Sequence, residues 1–424
     1  MNTPSTEAAG SAAAASERGQ IFFASCVALV ATSMIFSVRA DILGAWEHYF
    51  RSSSEAIGFA ILPAFWGFTI AIFIGGQLCD LIGMRALLGL AFLAHVAGTI
   101  LTIFAPTVGI LGLATLIIGL GNGFVEAGIN PLVATIYPDQ KTVKLNILHA
   151  WWPGGQIIGG LAAFFLTLLF VQMMGLNDPS EVVKYGHIWK VKQAIVLIPM
   201  LIYGFLFLKL RLPPTERVQS GVSTAEMYRE MFRPLFLVFL FGMLLSAATE
   251  LGTVQWISEI MNEIALKNGI LVLVWINIIM LVGRLFAGPM VHRFNPVGLL
   301  IGSAFLSAVG LLAMARVTGP ASAFGASFFF ALGICYFWPT MLGITSERFP
   351  KGGAVLLGLM GAAGMASAGV AQPWLGALKD NLGASGALMR VAILPIILFV
   401  IYVIVYLSDR ARGGYRVERL SAGQ

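Results

Sequence analysis

Charge is what this 424-residue sequence has least of. Asp, Glu, Lys and Arg together make up 11% of it, against 58% hydrophobic residues, and the mean hydropathy is +0.87. A soluble domain carries about 25% charged residues. So few cannot wet the outside of one globular core, and most of the chain must therefore face lipid. Cysteine is sparse too. Cys26, Cys79 and Cys335 are an odd three in or beside apolar runs, with no CxxC pair and no disulfide framework. There is no GxxxxGK[ST] phosphate cradle, which argues against direct ATP drive. No metal-ligand cluster and no nucleophile–base arrangement suggests enzyme chemistry, so neither a metal nor a cofactor is expected. The net charge of +6 comes from basic residues scattered over loops rather than gathered on one face, which excludes a nucleic-acid partner.

What is present is length in apolar runs. Twelve can be counted, with approximate cores at 21–42, 55–78, 86–105, 108–136, 145–173, 190–210, 232–257, 269–291, 297–315, 319–346, 353–377 and 386–408. Each approaches or exceeds the roughly 20 residues that a membrane helix needs. The fold class expected is an all-α membrane protein of twelve transmembrane helices in two pseudo-symmetric six-helix bundles. Residues 21–210 form the first bundle and 232–408 the second. A polar linker, 211–231, joins them, and residues 1–20 and 409–424 are read as cytoplasmic tails, the first of them disordered. An even number of spans puts both termini on one side. With that side inside, roughly 17 Lys/Arg fall in the cytoplasm and roughly 8 outside, as the positive-inside rule requires. The chain is expected in the inner (plasma) membrane, as a monomer with the lipid bilayer for solvent.

Polar residues inside the apolar runs point to function. Glu126 lies deep in the fourth run, and a carboxylate there costs about 2.5–3.5 kcal/mol on insertion scales, so it faces a bundle interior or a wet cavity. Burial favours its neutral form, so protonation would ease passage through a dry, occluded state. The alternative is a structural carboxylate paired with a cation such as Arg39. Asn130 follows one turn later and can bond a solute hydroxyl, and Pro131 permits a bend. In the fifth run Asn146, His149, Trp152 and Gln156 drift round one side of a helix as a cavity wall would. Trp152 offers a stacking face for a sugar ring, while His149 reads equally as packing or as a ligand. Gly155 and Gly159 read as a helix-packing notch. Arg39 and Asp41, at i and i+2, point to different faces, so that one can line the cavity while the other reaches the interface. The second half offers Glu250, Gln255, Asn277 and Tyr336. Amides and aromatics with few charges suit a neutral polyhydroxy solute. An anion carrier would want more buried cations than Arg39 and Arg284.

The turn after the second run reads GGQLCDLIGMR. Its Gly76, Asp80, Gly83 and Arg85 have the spacing of a tight loop in which glycines let helix ends approach and the charges cap or pair. After the eighth run comes GRLFAGPMVHRF, a degenerate copy keeping Gly283, Arg284 and Arg293 without the acid. Weak internal repetition of this kind is how many secondary carriers are built, with the site between the halves.

At these residues the sequence resembles the major facilitator superfamily. The Gly76–Arg85 loop is similar to that family's latch between the second and third helices. Asp41-Ile42-Leu43, the stretch from Gly121 to Pro131, and Leu145-Asn146 resemble the fucose–galactose–glucose:proton symporter branch. The resemblance implies that Asp41 and Glu126 are the acids of proton-coupled sugar transport, with the solute cavity lined by the polar residues above. The sequence departs from the branch where His149 replaces a Gln, Trp152 replaces a sugar-contacting Asn, and Arg39 stands beside Asp41. The expectation is a carrier importing a sugar or polyol with a proton by alternating access. A proton-driven efflux antiporter for drugs or metabolites, and a non-transporting sensor on a carrier scaffold, are the alternatives.

Overall fold

The computed structural model describes residues 6–52, 54–176, 179–264 and 270–420. Among them, eleven helices are long and apolar enough to cross a bilayer. In chain order they are α1 (Ser16–Ile42), α2 (Phe59–Ile82), α3 (Met84–Ile103), α4 (Val108–Ile136), α5 (Lys141–Met174), α6 (Ile188–Lys209), α7 (Pro234–Ile257), α9 (Ala287–Met314), α10 (Pro320–Arg348), α11 (Pro350–Lys379) and α12 (Asn381–Ala411). Between α7 and α9 a shorter apolar helix, α8 (Leu271–Leu285), supplies the twelfth passage. It is completed by 287–294, beyond a break at Phe286. The chain then bends sharply at Asn295, where φ is +53°. The result is two six-helix bundles, the twelve-helix architecture expected.

Small residues set how close the helices lie. A Cβ on Gly155 would stand 2.0 Å from the Ser33 hydroxyl oxygen, and one on Gly159 would stand 2.3 Å from that of Ser37. The notch read at these two glycines thus seats α5 against α1, where packing rather than a hydrophobic force holds helices together in lipid. The two halves meet in the same way. A Cβ on Gly76 of α2 would stand 2.6 Å from the Ala354 carbonyl, and one on Gly358 would stand 2.7 Å from that of Ile72. The closest approach of α2 to α11 therefore depends on having no side chain there.

One sequence expectation changes, and two gain detail. First, residues 6–20, read as a disordered tail, are helical: the helix that becomes α1 starts at Thr6. The run Ala12–Ala15 has high helix propensity, and extending a helix already nucleated is easy. Residues 1–5 lie outside the described residues. Second, the segment between α6 and α7 holds two short helices, Glu216–Gln219 and Thr224–Glu230, the second with a capping box at Ser223 and Glu226. Third, the carboxyl-terminal segment is docked as far as it is described. Glu418 donates its backbone N–H to the Glu347 carbonyl, and Arg233 pairs with Glu418 at 2.8 Å. Residues 421–424 lie outside the described residues.

Candidate functional site between the two halves

Glu126 is 2% exposed on α4, five residues before Pro131. Asn130 donates its side-chain N–H to Glu126 Oε2 at 2.8 Å, the i, i+4 contact that their spacing allows. The other end of that amide, Oδ1, lies 2.9 Å from His149 Nε2. With Oδ1 an acceptor, Nε2 carries the proton and donates. His149 Nε2 is also 3.8 Å from Glu126 Oε2. One carboxylate, one amide and one imidazole thus form a short chain that links α4 to α5. Arg39 is not part of it.

The chain crosses to the second half through Arg284. This guanidinium is 2% exposed and donates three ways: to the His149 carbonyl at 3.0 Å, to the Cys335 carbonyl at 2.6 Å, and to Glu250 Oε1 at 2.8 Å. Glu250 sits in a π-helical stretch, Ala248–Gly252, inside α7. Such turns widen the helix by a residue and recur at functional sites. The second oxygen of Glu250 has no hydrogen-bond partner among the described residues. Tyr336 donates its hydroxyl to the Gly283 carbonyl at 2.7 Å, beside Arg284. Asn146, one turn before His149, donates to Thr340 Oγ1 at 3.2 Å and so joins α5 to α10.

The structure therefore brings Glu126, Asn130, Asn146, His149, Glu250 and Tyr336 together in one buried layer. It places the other sequence candidates elsewhere. Asp41 is in an ion pair with Lys192 at 2.6 Å, its side chain 34% exposed, and Lys192 also donates to Thr167. Trp152 is packed on Phe36 at 5.4 Å and Phe68 at 6.3 Å between ring centroids. Gln156 is half-buried, Gln255 is exposed, and Asn277 turns its amide back to the Leu273 carbonyl.

The pair Gly283–Arg284 is a correction. Read from sequence as half of a second latch loop, it lies inside α8, because the helix runs unbroken to Leu285 and the sharp bend comes only at Asn295. Only Arg293 of that trio is exposed, stacked over Phe294. Sequence spacing also missed the partners of His95, which lies between the Tyr203 hydroxyl at 2.9 Å and Asn122 Oδ1 at 2.8 Å. All three belong to different helices, and neighbours across helices leave no periodic signal.

Near the end that carries both termini, ion pairs to the linker and hydrogen bonds from α5 to α10 hold the halves together. Asp80 accepts from Arg217 Nε at 2.7 Å and from the Thr215 hydroxyl at 2.6 Å, so the α2–α3 turn grips the linker. Gly83 allows that turn with φ of +86°, a region open to glycine. Arg85 caps the end of α6 by donating to the Leu208 carbonyl. Lys141 pairs with Glu216 at 2.6 Å and donates to the Ser346 carbonyl. Thr142 donates its backbone N–H and its hydroxyl to Glu347 on α10.

Solved structures give the same architecture. The chain superposes on the fucose:proton symporter of E. coli with a TM-score of 0.75, at 16% identity, over 90% of this chain and 98% of that one. The proton:xylose symporter XylE gives 0.73 at 15% identity, over 91% and 95%. The human organic anion transporter MFSD10 gives 0.68 at 13%, over 91% and 99%. No curated protein matches the sequence. Residues 21–356 match the family model of the Major Facilitator Superfamily, and the chain belongs to that family of transporters.

Proposed function

We propose that the chain is a proton-coupled secondary carrier of a small polyhydroxy solute, a sugar or polyol, in the plasma membrane with both termini cytoplasmic. The observation that carries this reading is the buried layer from Glu126 through Asn130 and His149 to Arg284 and Glu250. It lies where two rocking bundles must part, and it holds a carboxylate bonded by the Asn130 amide, with the His149 imidazole 3.8 Å away and the Arg284 guanidinium near enough to act on it through space. With Glu126 ionised, Asn130 has a charged acceptor and passes that polarity to His149. A proton on Glu126 removes the charge, weakens the grip of Asn130, and frees the amide for a solute hydroxyl. Protonation and solute binding are then linked through one side chain. The charge asymmetry of the loops assigns the ion-paired end to the cytoplasm, so this conformation is shut on that side. The likeness to two sugar:proton symporters supports the substrate class at the level of fold. Asp41, in its half-exposed pair with Lys192, is the second protonatable group on this reading.

Reconstituted protein tests it. An inwardly directed proton gradient is expected to drive accumulation of a labelled sugar or polyol in proteoliposomes. Glu126→Gln is expected to abolish that accumulation while preserving counterflow. Equal loss of both would make Glu126 structural, and absence of any counterflow by the unaltered protein would favour a sensor.

A further inference from the structure

Among the described residues Arg39 is the one buried cation without a carboxylate partner. It lies near the outer end of α1 and is 6% exposed. Its guanidinium carbon stands 4.7 Å over the ring of Phe36 and 5.5 Å over that of Phe65. Among the described residues it makes no ion pair and no hydrogen bond. The acid nearest in sequence, Asp41, is engaged by Lys192. Aromatic faces offset part of the desolvation of a guanidinium, about 2 kcal/mol or somewhat more. That is well short of what a buried charge loses without a counterion. By contrast Arg284 has a carboxylate and two carbonyls. Five unused donors in a rigid fork match a carboxylate, which takes two of them at once.

The aromatic platform under Arg39 leads directly to the central layer. Phe36, one turn before Arg39 on α1, also packs against Trp152, and Trp152 is one turn beyond His149 on α5. His149 in turn meets Asn130, which bonds Glu126, so Arg39 and the central layer are joined through Phe36, Trp152 and the turn of α5 between Trp152 and His149.

We propose that Arg39 is an anion subsite of the transport cavity and that the solute is a sugar acid. Its carboxylate pairs with the guanidinium, its ring lies on the aromatic faces, and its hydroxyls reach the amide layer. This rests on the carrier reading and sharpens its substrate class. The neutral solute expected from the scarcity of buried cations gives way because one of those few cations has no counterion.

The test is a thermal-shift titration of the purified full-length protein with D-galactose, D-galacturonate, D-gluconate and lactate, followed by counterflow of the ligands that bind. One or both sugar acids are expected to protect at concentrations at least tenfold lower than galactose or lactate. Arg39→Gln is expected to remove that preference and bring the acid to the level of the neutral sugar. Arg39→Lys is expected to retain part of it, which guards against simple misfolding. Galactose protecting as well as the acids, or an undiminished acid preference in Arg39→Gln, overturns the subsite while leaving the sugar carrier standing. Lactate equal to the sugar acids overturns the sugar-acid assignment. No protection and no counterflow by any of the four overturns both readings.

Discussion

Two carboxylates, Glu126 and Glu250, one in each half, are buried to nearly the same degree, yet they are held differently. Glu250 faces a guanidinium at 2.8 Å, whereas Glu126 faces an amide at 2.8 Å and an imidazole at 3.8 Å. Glu250 is tied to a fixed cation, and taking its charge away would leave Arg284 buried without a counterion. Neutral partners impose no such penalty, because Asn130 can face either form of Glu126. The difference divides the work. Glu250 anchors the arginine that bridges the halves, and Glu126 is free to gain and lose a proton as the bundles move.

The largest effect is expected where the fixed pair is broken. Arg284→Gln leaves Glu250 buried without a counterion and removes the bond to the His149 carbonyl. Removing one member of a buried pair costs about 3–5 kcal/mol. A fall of that size should appear in thermal or denaturant unfolding in detergent. Arg284→Met combined with Glu250→Leu should recover most of it, since no charge is then left alone. Glu126→Gln should change the same unfolding curve by less than about 1 kcal/mol, because Gln keeps an acceptor for Asn130. If Glu126→Gln proved as damaging to stability as Arg284→Gln, the contrast between the two acids would collapse.

How much of this was readable beforehand follows from which contacts run along a helix. Glu126 and Asn130 stand out from sequence because they are polar at i, i+4 in an apolar run, and they bond as that spacing implies. The notch at Gly155 and Gly159 was legible for the same reason. Arg284 was misread because a Gly-Arg pair near a helix end looks like part of a turn. Only the unbroken helix to Leu285 and the bend at Asn295 show that the turn comes later. The π-turn at Glu250 has no residue signature, since it depends on one extra residue accommodated by neighbouring helices. For Asp80 the loop spacing says only that its charge caps or pairs, not with what. The partner is Arg217, from the linker, about 137 positions away in sequence, a separation at which no periodicity speaks.

A second, smaller effect separates the ion-paired end from the central layer. Asp80→Asn weakens the bonds from Arg217 and Thr215 without touching Glu126. Hydrogen bonds to a charged group contribute about 1.5–3 kcal/mol, so losing that charge should raise the open population at this end about tenfold or more. A cysteine replacing Ser346, in protein with the three native cysteines exchanged for alanine, should then react faster with a water-soluble maleimide. Unchanged reactivity would show that the helix crossing at Gly76 and Gly358 closes this end by itself, with the charged turn contributing little.

The smallest effect is expected at Asp41, and it gives the finest test of how the carboxylates differ. Its pair with Lys192 is one-third exposed on the Asp41 side, and exposed pairs contribute about 0–1 kcal/mol. Asp41→Asn should therefore move the unfolding curve less than Arg284→Gln does. Lys192 is itself buried and keeps its bond to Thr167, so the substitution also leaves a cation with a weaker partner near the route from the far end. If Asp41 is a proton site, the variant should lose gradient-driven accumulation just as Glu126→Gln does, with counterflow intact. If instead it only neutralises Lys192, accumulation should persist at a reduced rate, and Lys192→Met should compensate by removing the orphaned charge. Rescue by the second substitution would leave Glu126 as the single coupling acid, since a proton site cannot be restored by deleting its neighbour.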